Sequence, residues 1–252
     1  MNKFFTLFST LAAVLVLSGC ASTDETLLPS EISVDELQIR KDAATDPEGK
    51  FSKASSYIMR QNISDSGIFG GTSNKIIELK YKRPDKIKCT VMEDGKAISG
   101  YIINGNSAWS IDYSANKVVP IPPQHMVMIK TLTKLNTPAT RYKDVFKNVE
   151  IFRCKNSDGE FFKLHCSNNQ KNSFEIYINA STYLTSRMKT SFRLPSGTLN
   201  TDSRMKSYTL YEGIRIPDES VSVTGDEEQT QKVIFYKLDV PVDDNEFNPP
   251  VL

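Results

Sequence analysis

Two tight-turn signals, one strand's length apart, constrain the fold of this chain more than any other feature. They are Asp94-Gly95 and Asn104-Gly105, dipeptides typical of two-residue hairpin turns. Shortly before them, the apolar side chains of Ile77, Leu79 and Tyr81 alternate with charged ones. A two-residue period is that of a strand with one apolar and one polar face. Because strands joined by tight turns are antiparallel, the sequence predicts an antiparallel meander.

The same strand pattern continues through the second half of the chain. Strand segments are predicted at Glu150 to Lys155, Glu160 to Cys166, Ser173 to Asn179, Tyr183 to Phe192, Arg204 to Tyr211, Val221 to Thr224 and Lys232 to Leu238. We therefore predict a mainly β protein of the α+β class, with a single curved antiparallel sheet of about 10–11 strands. A twisted sheet of that size curls, and its apolar inner face must be covered by another layer.

Two helical segments are predicted to provide this cover. Ser33 and Glu36 form the pattern of a capping box, which predicts a short helix to about Ala44. The second segment follows two prolines and has apolar residues at helical spacing: Met126, Ile129 and Leu132. If these helices do not fill the space above the sheet, the remainder is an apolar cavity.

The first 20 residues have the pattern of an export signal. Lys3 is followed by an apolar segment from Phe4 to Leu17, shorter than the about 20 residues of a membrane-spanning helix. The next tetrapeptide, Leu17-Ser18-Gly19-Cys20, resembles the lipobox of bacterial lipoproteins, in which cleavage precedes a cysteine that carries a diacylglyceryl group. The resemblance implies a signal peptide at 1–19 and lipid attachment at Cys20. An ordinary signal with an incidental cysteine is the alternative.

The rest of the chain is expected to form one domain behind a tether. Residues 20–45 would contain the lipidated cysteine, the tether and the short helix, and residues 46–252 the β domain. Removal of residues 1–19 takes away one of 31 basic side chains and leaves 30 against 30 acidic ones, which gives no electrostatic basis for nucleic-acid binding. Cys89, Cys154 and Cys166 are either buried free thiols or include one Cys154–Cys166 disulfide.

The residues expected of a catalytic or metal centre do not occur in recognisable patterns. The two histidines, His125 and His165, have no metal-binding partner at i+3 or i+4, and no Cys-x-x-Cys, phosphate-binding glycine loop or Gly-x-Ser-x-Gly is present. His165 is expected to be a hydrogen-bonded structural residue, and Asp243-Asp244 a solvated turn. The sequence therefore predicts a protein that is not an enzyme and needs no metal or cofactor.

Several stretches resemble the LolA/LolB superfamily, the periplasmic carriers and outer-membrane receptors that sort lipoproteins. They are Asp46-Pro47-Glu48-Gly49-Lys50 with Ser55-Ser56-Tyr57, then Tyr81-Lys82-Arg83-Pro84-Asp85-Lys86, then Asn104-Gly105 with Trp109, and the ending from Asp239 to Phe247. Together they cover residues 46–250, in the order in which the family has them.

This resemblance implies a half-open β-barrel with a helical lid and a hydrophobic ligand between the two. Arg83 matches the arginine that hydrogen-bonds to the lid in the family's carrier, and Ile87 takes the place of an aromatic lining residue. Ile68-Phe69 is the nearest counterpart of the receptor's exposed loop. The residues expected to line the ligand site are Ile77, Leu79, Tyr81, Ile87, Trp109, Met126, Ile129 and Leu132. For Trp109, a place in the ordinary core is the alternative.

The expected function is that of a lipid-anchored envelope protein. It would bind lipoprotein acyl chains or a lipid, for transport or outer-membrane sorting, and the membrane through its anchor. Ala21 stands where inner-membrane retention signals usually place Asp, so an outer-membrane protein facing the periplasm is expected. An envelope sensor with a protein partner and no transported ligand is the alternative, and an envelope enzyme a third.

Overall fold

The structure is a computed structural model, which describes residues 25–66, 72–138, 140–168, 172–195 and 197–251. The predicted signal peptide, Cys20 and the Ile68-Phe69 pair lie outside the described residues. Among the helices within them, the longest have 13 and 12 residues, and none is long and apolar enough to cross a membrane.

The described strands form one antiparallel sheet of 14 strands. In chain order they are β1 (Thr26–Pro29), β2 (Ser56–Ser66), β3 (Thr72–Lys82), β4 (Lys86–Glu93), β5 (Lys96–Asn104), β6 (Ser107–Asp112), β7 (Lys117–Pro120), β8 (Asn148–Asn156), β9 (Gly159–Ser167), β10 (Ser173–Asn179), β11 (Thr185–Leu194), β12 (Gly197–Tyr211), β13 (Ile214–Thr224) and β14 (Glu227–Leu238). The predicted fold class, a mainly β protein with one curved antiparallel sheet, is confirmed.

The strand count is higher than the expected 10–11, in part because the predicted tether contributes a strand of its own. β1 pairs antiparallel with β8, from Thr26 opposite Lys155 to Pro29 opposite Phe152. All four residues of β1 are exposed, so this edge strand has no apolar and polar alternation by which the sequence could indicate it.

The two helical segments that the sequence analysis predicts are present as α1 and α3, and shorter helices accompany them. They are α1 (Val34–Thr45), α2 (Lys50–Lys53), α3 (Pro123–Leu135) and α4 (Tyr142–Val145), with a short 3-10 helix at Asp244–Phe247. The side chain of Ser33 caps α1 by accepting a hydrogen bond from the Glu36 amide at 3.2 Å. Pro123 begins α3 without loss of a helical hydrogen bond, because the first amides of a helix have no partner within it.

The order of the strands places the lid. The sheet runs β1-β8-β9-β10-β11-β12-β13-β14-β2-β3-β4-β5-β6-β7, so β7 forms one edge while β8 lies beside the opposite edge. These two strands are consecutive in the chain, and α3 and α4 form the connection between them. The connection therefore spans the open side of the curved sheet, which is the arrangement of a half-open barrel with a helical lid.

We call the sheet face that carries these helices the inner face and the opposite one the outer face. On β9 to β11 the inner face holds Leu164, Ile176 and Met188, which form one core with residues of α1, α3 and α4. Leu37 of α1 is fully buried in that core. A second inner cluster packs Phe51 of α2 against strands β2, β13 and β14.

The outer face of β3 to β6 is covered by the C-terminal segment. Phe247 of the 3-10 helix is fully buried against this face. Asp244 lies 2.8 Å from Lys82 Nζ and 2.9 Å from Lys86 Nζ, and these two ammonium groups lower the pKa of its carboxyl. Lys80 Nζ is 2.5 Å from Glu246. Lys80 and Lys82, on the outer face of β3, are therefore held in ion pairs with the covering segment. The alternation of charged and apolar residues along β3 predicts instead that this face is solvated.

The three cysteines of the β domain are free and buried. Burial raises the pKa of Cys89 and of Cys166 to about 12. Cys166 belongs to the inner core, whereas Cys154 packs with Phe161 and Tyr177 on the outer face. The two thiols that the sequence leaves open for pairing thus lie on opposite faces of the sheet.

Candidate ligand-binding site

The candidate site lies between the first half of α3 and the inner face of strands β3 to β6. Five of the residues expected to line a ligand site meet there. They are Leu79, Tyr81, Ile87, Met126 and Ile129. They pack with Ile103, Ala108, Tyr101 and Ile121, which the sequence analysis did not single out. Ile103 and Tyr101 share a face two positions apart on β5, so strand alternation relative to Ile87 was the signal that could have identified them.

α3 joins this cluster to the larger inner core. Leu132 and Leu135 pack against the cluster that contains Leu164 and Ile176 on the far strands. Within one helix, residues 126 and 129 thus contact strands near one edge of the sheet and residues 132 and 135 contact strands near the other. The two contact regions give α3 apolar contacts with the sheet along most of its length, with Thr131 and Thr133 buried among them.

Two further predicted lining residues lie apart from this cluster. Ile77 is on the same face of β3 as Leu79, between Gln61 and Val91 of the neighbouring strands. Trp109 is on the outer face of β6, where it packs with the core of Ile102, Ile111, Val242 and Phe247. Its neighbour Ala108 is on the inner face. In this structure the whole thickness of the sheet separates Trp109 from the lid.

Arg83 holds the end of α2. Its Nε donates to the Ala54 carbonyl at 2.7 Å and its Nη2 to the Phe51 carbonyl at 2.8 Å. The guanidinium also lies 5.7 Å from the centre of the Phe51 ring. At the other end of α2, the Asp46 carboxylate accepts hydrogen bonds from the amides of Lys50 and Phe51. The helix that inserts Phe51 into the inner face is therefore fixed at both ends by ionised groups, whose hydrogen bonds are the stronger kind.

α3 is fixed to the sheet by a small number of polar contacts. Lys130 Nζ donates to the Gly105 carbonyl at 2.6 Å and lies 3.3 Å from Asp85 Oδ2. Tyr101 of β5 lies opposite Cys89 of β4 and near Thr133 of α3, and burial raises the pKa of Tyr101 well above its usual range. Most of the contacts that α3 makes with the sheet are therefore apolar.

α1 is tied to the loop that follows α3. Lys41 is buried, and its Nζ donates to the Pro138 carbonyl at 3.1 Å. Burial lowers the pKa of Lys41, since a charged ammonium is poorly solvated there. Arg215 of β13 donates to the Ala44 carbonyl at 3.0 Å. These contacts join α1 both to the loop after α3 and to the sheet, so the helices form one connected layer.

A cavity of about 50 Å³ lies beneath this layer. Its apolar wall is formed by Leu135, Ile176, Met188, Met205 and Ile216. An engineered cavity of about 150 Å³ is enough to bind benzene, so the space observed is smaller than even a small hydrocarbon requires. An acyl chain could enter this inner face only if part of the lid moved away.

The polar groups of the described residues include no metal-ligand cluster. Among them, no three His, Cys, Asp or Glu side chains are placed to hold a metal ion. His165 lies on the outer face, with its ring 5.2 Å from that of Phe152 and its Nε2 3.5 Å from Glu175 Oε1. That nitrogen is buried without a hydrogen bond in the structure, so the expectation that His165 is hydrogen-bonded is not met there.

Comparison with solved structures identifies the fold. The chain matches a LolA superfamily protein from Nitrosomonas europaea with a TM-score of 0.55 and 12% sequence identity, over 86% of this chain and 98% of that one. It matches a domain assigned to outer membrane lipoprotein sorting, from Vibrio parahaemolyticus, with a TM-score of 0.58 and 12% identity, over 86% and 97%. A DUF1329 family protein from Desulfovibrio piger gives a TM-score of 0.56 and 12% identity, over 85% and 95%.

These matches cover nearly the whole length of each relative, so the chain has the fold of the LolA superfamily. Comparison of the sequence with protein-family models and with curated proteins gave no match. The likeness therefore lies in the arrangement of the sheet and its lid.

Proposed function

We propose, on the premise of this LolA-type fold, that the chain is a lipid-anchored protein of the bacterial cell envelope that binds a hydrophobic ligand. The ligand would be the acyl chains of another lipoprotein or a free lipid, held between the inner face and the lid. Residues 1–19 would be the signal peptide and Cys20 the lipidated first residue of the mature protein. Ala21 after the cysteine supports outer-membrane placement, facing the periplasm.

The observation that carries the proposal is the contact surface between α3 and the sheet. Apolar side chains contribute to it along the helix, together with the buried Thr131 and Thr133, and Lys130 adds a hydrogen bond to the Gly105 carbonyl. Met126 and Met128 contribute flexible side chains that adapt to irregular apolar shapes. Displacement of α3 would expose a continuous apolar trough long enough for an extended chain.

A bound acyl chain would replace apolar helix contacts with contacts of the same kind. Each buried methylene contributes about 0.8 kcal/mol, so burial of about 12 methylenes of an acyl chain contributes on the order of 10 kcal/mol. Burial of an apolar side chain of α3 contributes about 1.5–3 kcal/mol, so the two sets of contacts are of the same order. The ligand would be taken up and released by movement of the lid, and no bond to the ligand would form or break.

The proposal is tested by recovery of the ligand. A form of the protein that begins at Ala21 is purified gently from the periplasm and analysed by native mass spectrometry, together with its organic extract. We expect lipid or lipopeptide in a near one-to-one ratio. Met126→Glu should abolish its recovery, because the carboxylate would lie on the apolar surface of α3. Ile39→Glu is the matched control, since Ile39 is 69% exposed on α1.

Two results would contradict the proposal. One is a protein that carries no lipid and does not bind added fluorescent fatty acids, which would indicate a permanently filled core. The other is equal loss of ligand in both variants, which would place binding elsewhere. Circular dichroism of each variant shows whether it is folded before its ligand content is compared.

A further inference from the structure

A charged side chain is buried on the outer face next to the start of β1. Lys163 of β9 is only 4% exposed. Its Nζ lies 2.5 Å from Glu25 Oε2 and 3.3 Å from Glu175 Oε2, and 4.9 Å from the centre of the Tyr177 ring. Glu25 directly precedes β1, so this buried ion pair fixes the N-terminal end of the strand. Breaking such a pair is costly, because it leaves a buried charge without a partner.

β1 itself forms the outermost strand at this edge of the sheet. Its backbone pairs with β8 over four residues. Leu27 and Leu28 are 40% and 55% exposed, on opposite sides of the strand. Two neighbouring exposed leucines are an apolar feature that a bilayer interface could accommodate.

We infer that this edge of the barrel, formed by β1 and the adjoining part of β8, lies against the surface of the bilayer that holds the chain's own lipid anchor. The inference rests on the proposed lipidation of Cys20. Five residue steps separate Cys20 from Glu25, and a fully extended chain covers at most about 17 Å over that distance. A free tether that ended only at Ile32 would reach about 40 Å. The pairing of β1 with β8, together with the ion pair of Glu25 at its start, thus shortens the reach of the anchor by more than half.

The charged side chains at this edge indicate that the tether, and not attraction to anionic lipid, holds the edge at the bilayer. Arg153 lies 3.6 Å from Glu31 and 2.8 Å from Glu160, and Lys155 lies 3.4 Å from the same Glu160. The basic groups are therefore balanced by acidic ones and form no basic patch. Contact with the bilayer should persist at high salt and on zwitterionic lipid, unlike that of a polybasic segment.

Fluorescence quenching by lipid measures this contact. The lipidated full-length protein is reconstituted into phosphatidylcholine vesicles that contain a headgroup-quencher lipid. An environment-sensitive dye is attached at Lys155→Cys, a position 72% exposed on β8. Lys206→Cys is the matched control, because Lys206 is exposed on β12. β12 is four strands away from β8, which corresponds to about 19 Å across the sheet. The buried native thiols should leave these positions as the reactive ones.

We expect at least threefold stronger quenching at position 155 than at position 206, unchanged in 1 M salt. Ten Gly/Ser residues inserted after Ala21 lengthen the tether without touching the fold, and should bring the two positions to equal quenching. Glu25→Gln should also make the quenching at position 155 more nearly equal to that at position 206. Equal quenching at both positions in the parent protein would overturn the inference, as would a difference that survives the insertion.

The mass of the N-terminal peptide separates this inference from the proposed function. A diacylated Cys20 with no preferential quenching at position 155 refutes the membrane-facing edge alone. An unmodified Cys20 refutes the lipid anchor, and the inference with it. Ligand binding under the lid is measured on the soluble form and is independent of both results.

Discussion

Removal of the Arg83 side chain should loosen α2 from the sheet without unfolding the protein. In Arg83→Ala the carbonyls of Phe51 and Ala54 lose hydrogen bonds of 2.8 and 2.7 Å from an ionised donor. A hydrogen bond to a charged group contributes about 1.5–3 kcal/mol when shielded from water. Since Arg83 is exposed, solvent screening reduces the expected loss for the pair to about 1–2 kcal/mol.

Hydrogen exchange monitored by mass spectrometry measures this effect locally. A loss of about 1–2 kcal/mol corresponds to a 5- to 30-fold change in an opening equilibrium. We expect exchange of the amides of residues 50–54 to accelerate by that factor, while the strands of the inner core keep their protection. Arg83→Lys should give an intermediate value, because lysine keeps the charge but lacks the planar fork that contacts two carbonyls.

Arg60→Ala provides the control on the same sheet. Arg60 lies 2.7 Å from Glu78 on the outer face and its side chain is 48% exposed, so its removal should cost less than about 1 kcal/mol and leave residues 50–54 unchanged. Unchanged exchange at residues 50–54 in Arg83→Ala would refute the role of Arg83 in holding α2. Uniformly faster exchange along the whole chain would refute it too, since it would indicate global destabilisation.

Three other predictions concern the core, the thiols and the edge strand. Leu37→Ala should lower the free energy of unfolding by about 2–5 kcal/mol, measured by urea denaturation, because Leu37 is fully buried. In the soluble form, Cys89, Cys154 and Cys166 should not react with a thiol reagent until denaturant is added, and then all three should react. For Glu25, burial opposes ionisation, but the hydrogen bond from Lys163 and the charge of Lys163 outweigh it and lower the pKa of the carboxyl below its usual value. The stabilisation of β1 by Glu25 should thus be complete above the usual carboxyl pKa and fall as the pH drops through the lower folded pKa, seen as faster proteolysis between β1 and α1.

Local sequence patterns predict the elements of this fold well. The capping residue Ser33 predicts the start of α1, and apolar spacing behind Pro123 predicts α3, because both signals act within one helix. The alternation of Ile77, Leu79 and Tyr81 predicts β3 for the same reason. Five of the expected lining residues also meet under α3, because alternation in strands and helical spacing in α3 select the faces that pack together.

Contacts between distant segments were beyond the reach of these patterns. Alternation divides a strand into two faces but does not indicate which element covers each face. Trp109 is an example, since the segment that buries it contains Phe247, far along the chain. The ion pair of Glu25 with Lys163 joins residues 138 positions apart, and β1 depends on it. The size of the space beneath the lid depends on how the side chains pack, which sequence patterns do not predict.

The central claim is that a hydrophobic ligand occupies the space between α3 and the inner face, and photo-crosslinking tests it most directly. A fatty acid with a diazirine near the end of its chain is bound to the soluble form, irradiated, and the modified peptides are mapped. The account predicts adducts on the Met126–Leu132 part of α3 and on the inner positions of β3 and β4 around Leu79 and Ile87. Adducts confined to the outer face around Trp109 and Phe247 would contradict it, as would the absence of any saturable adduct.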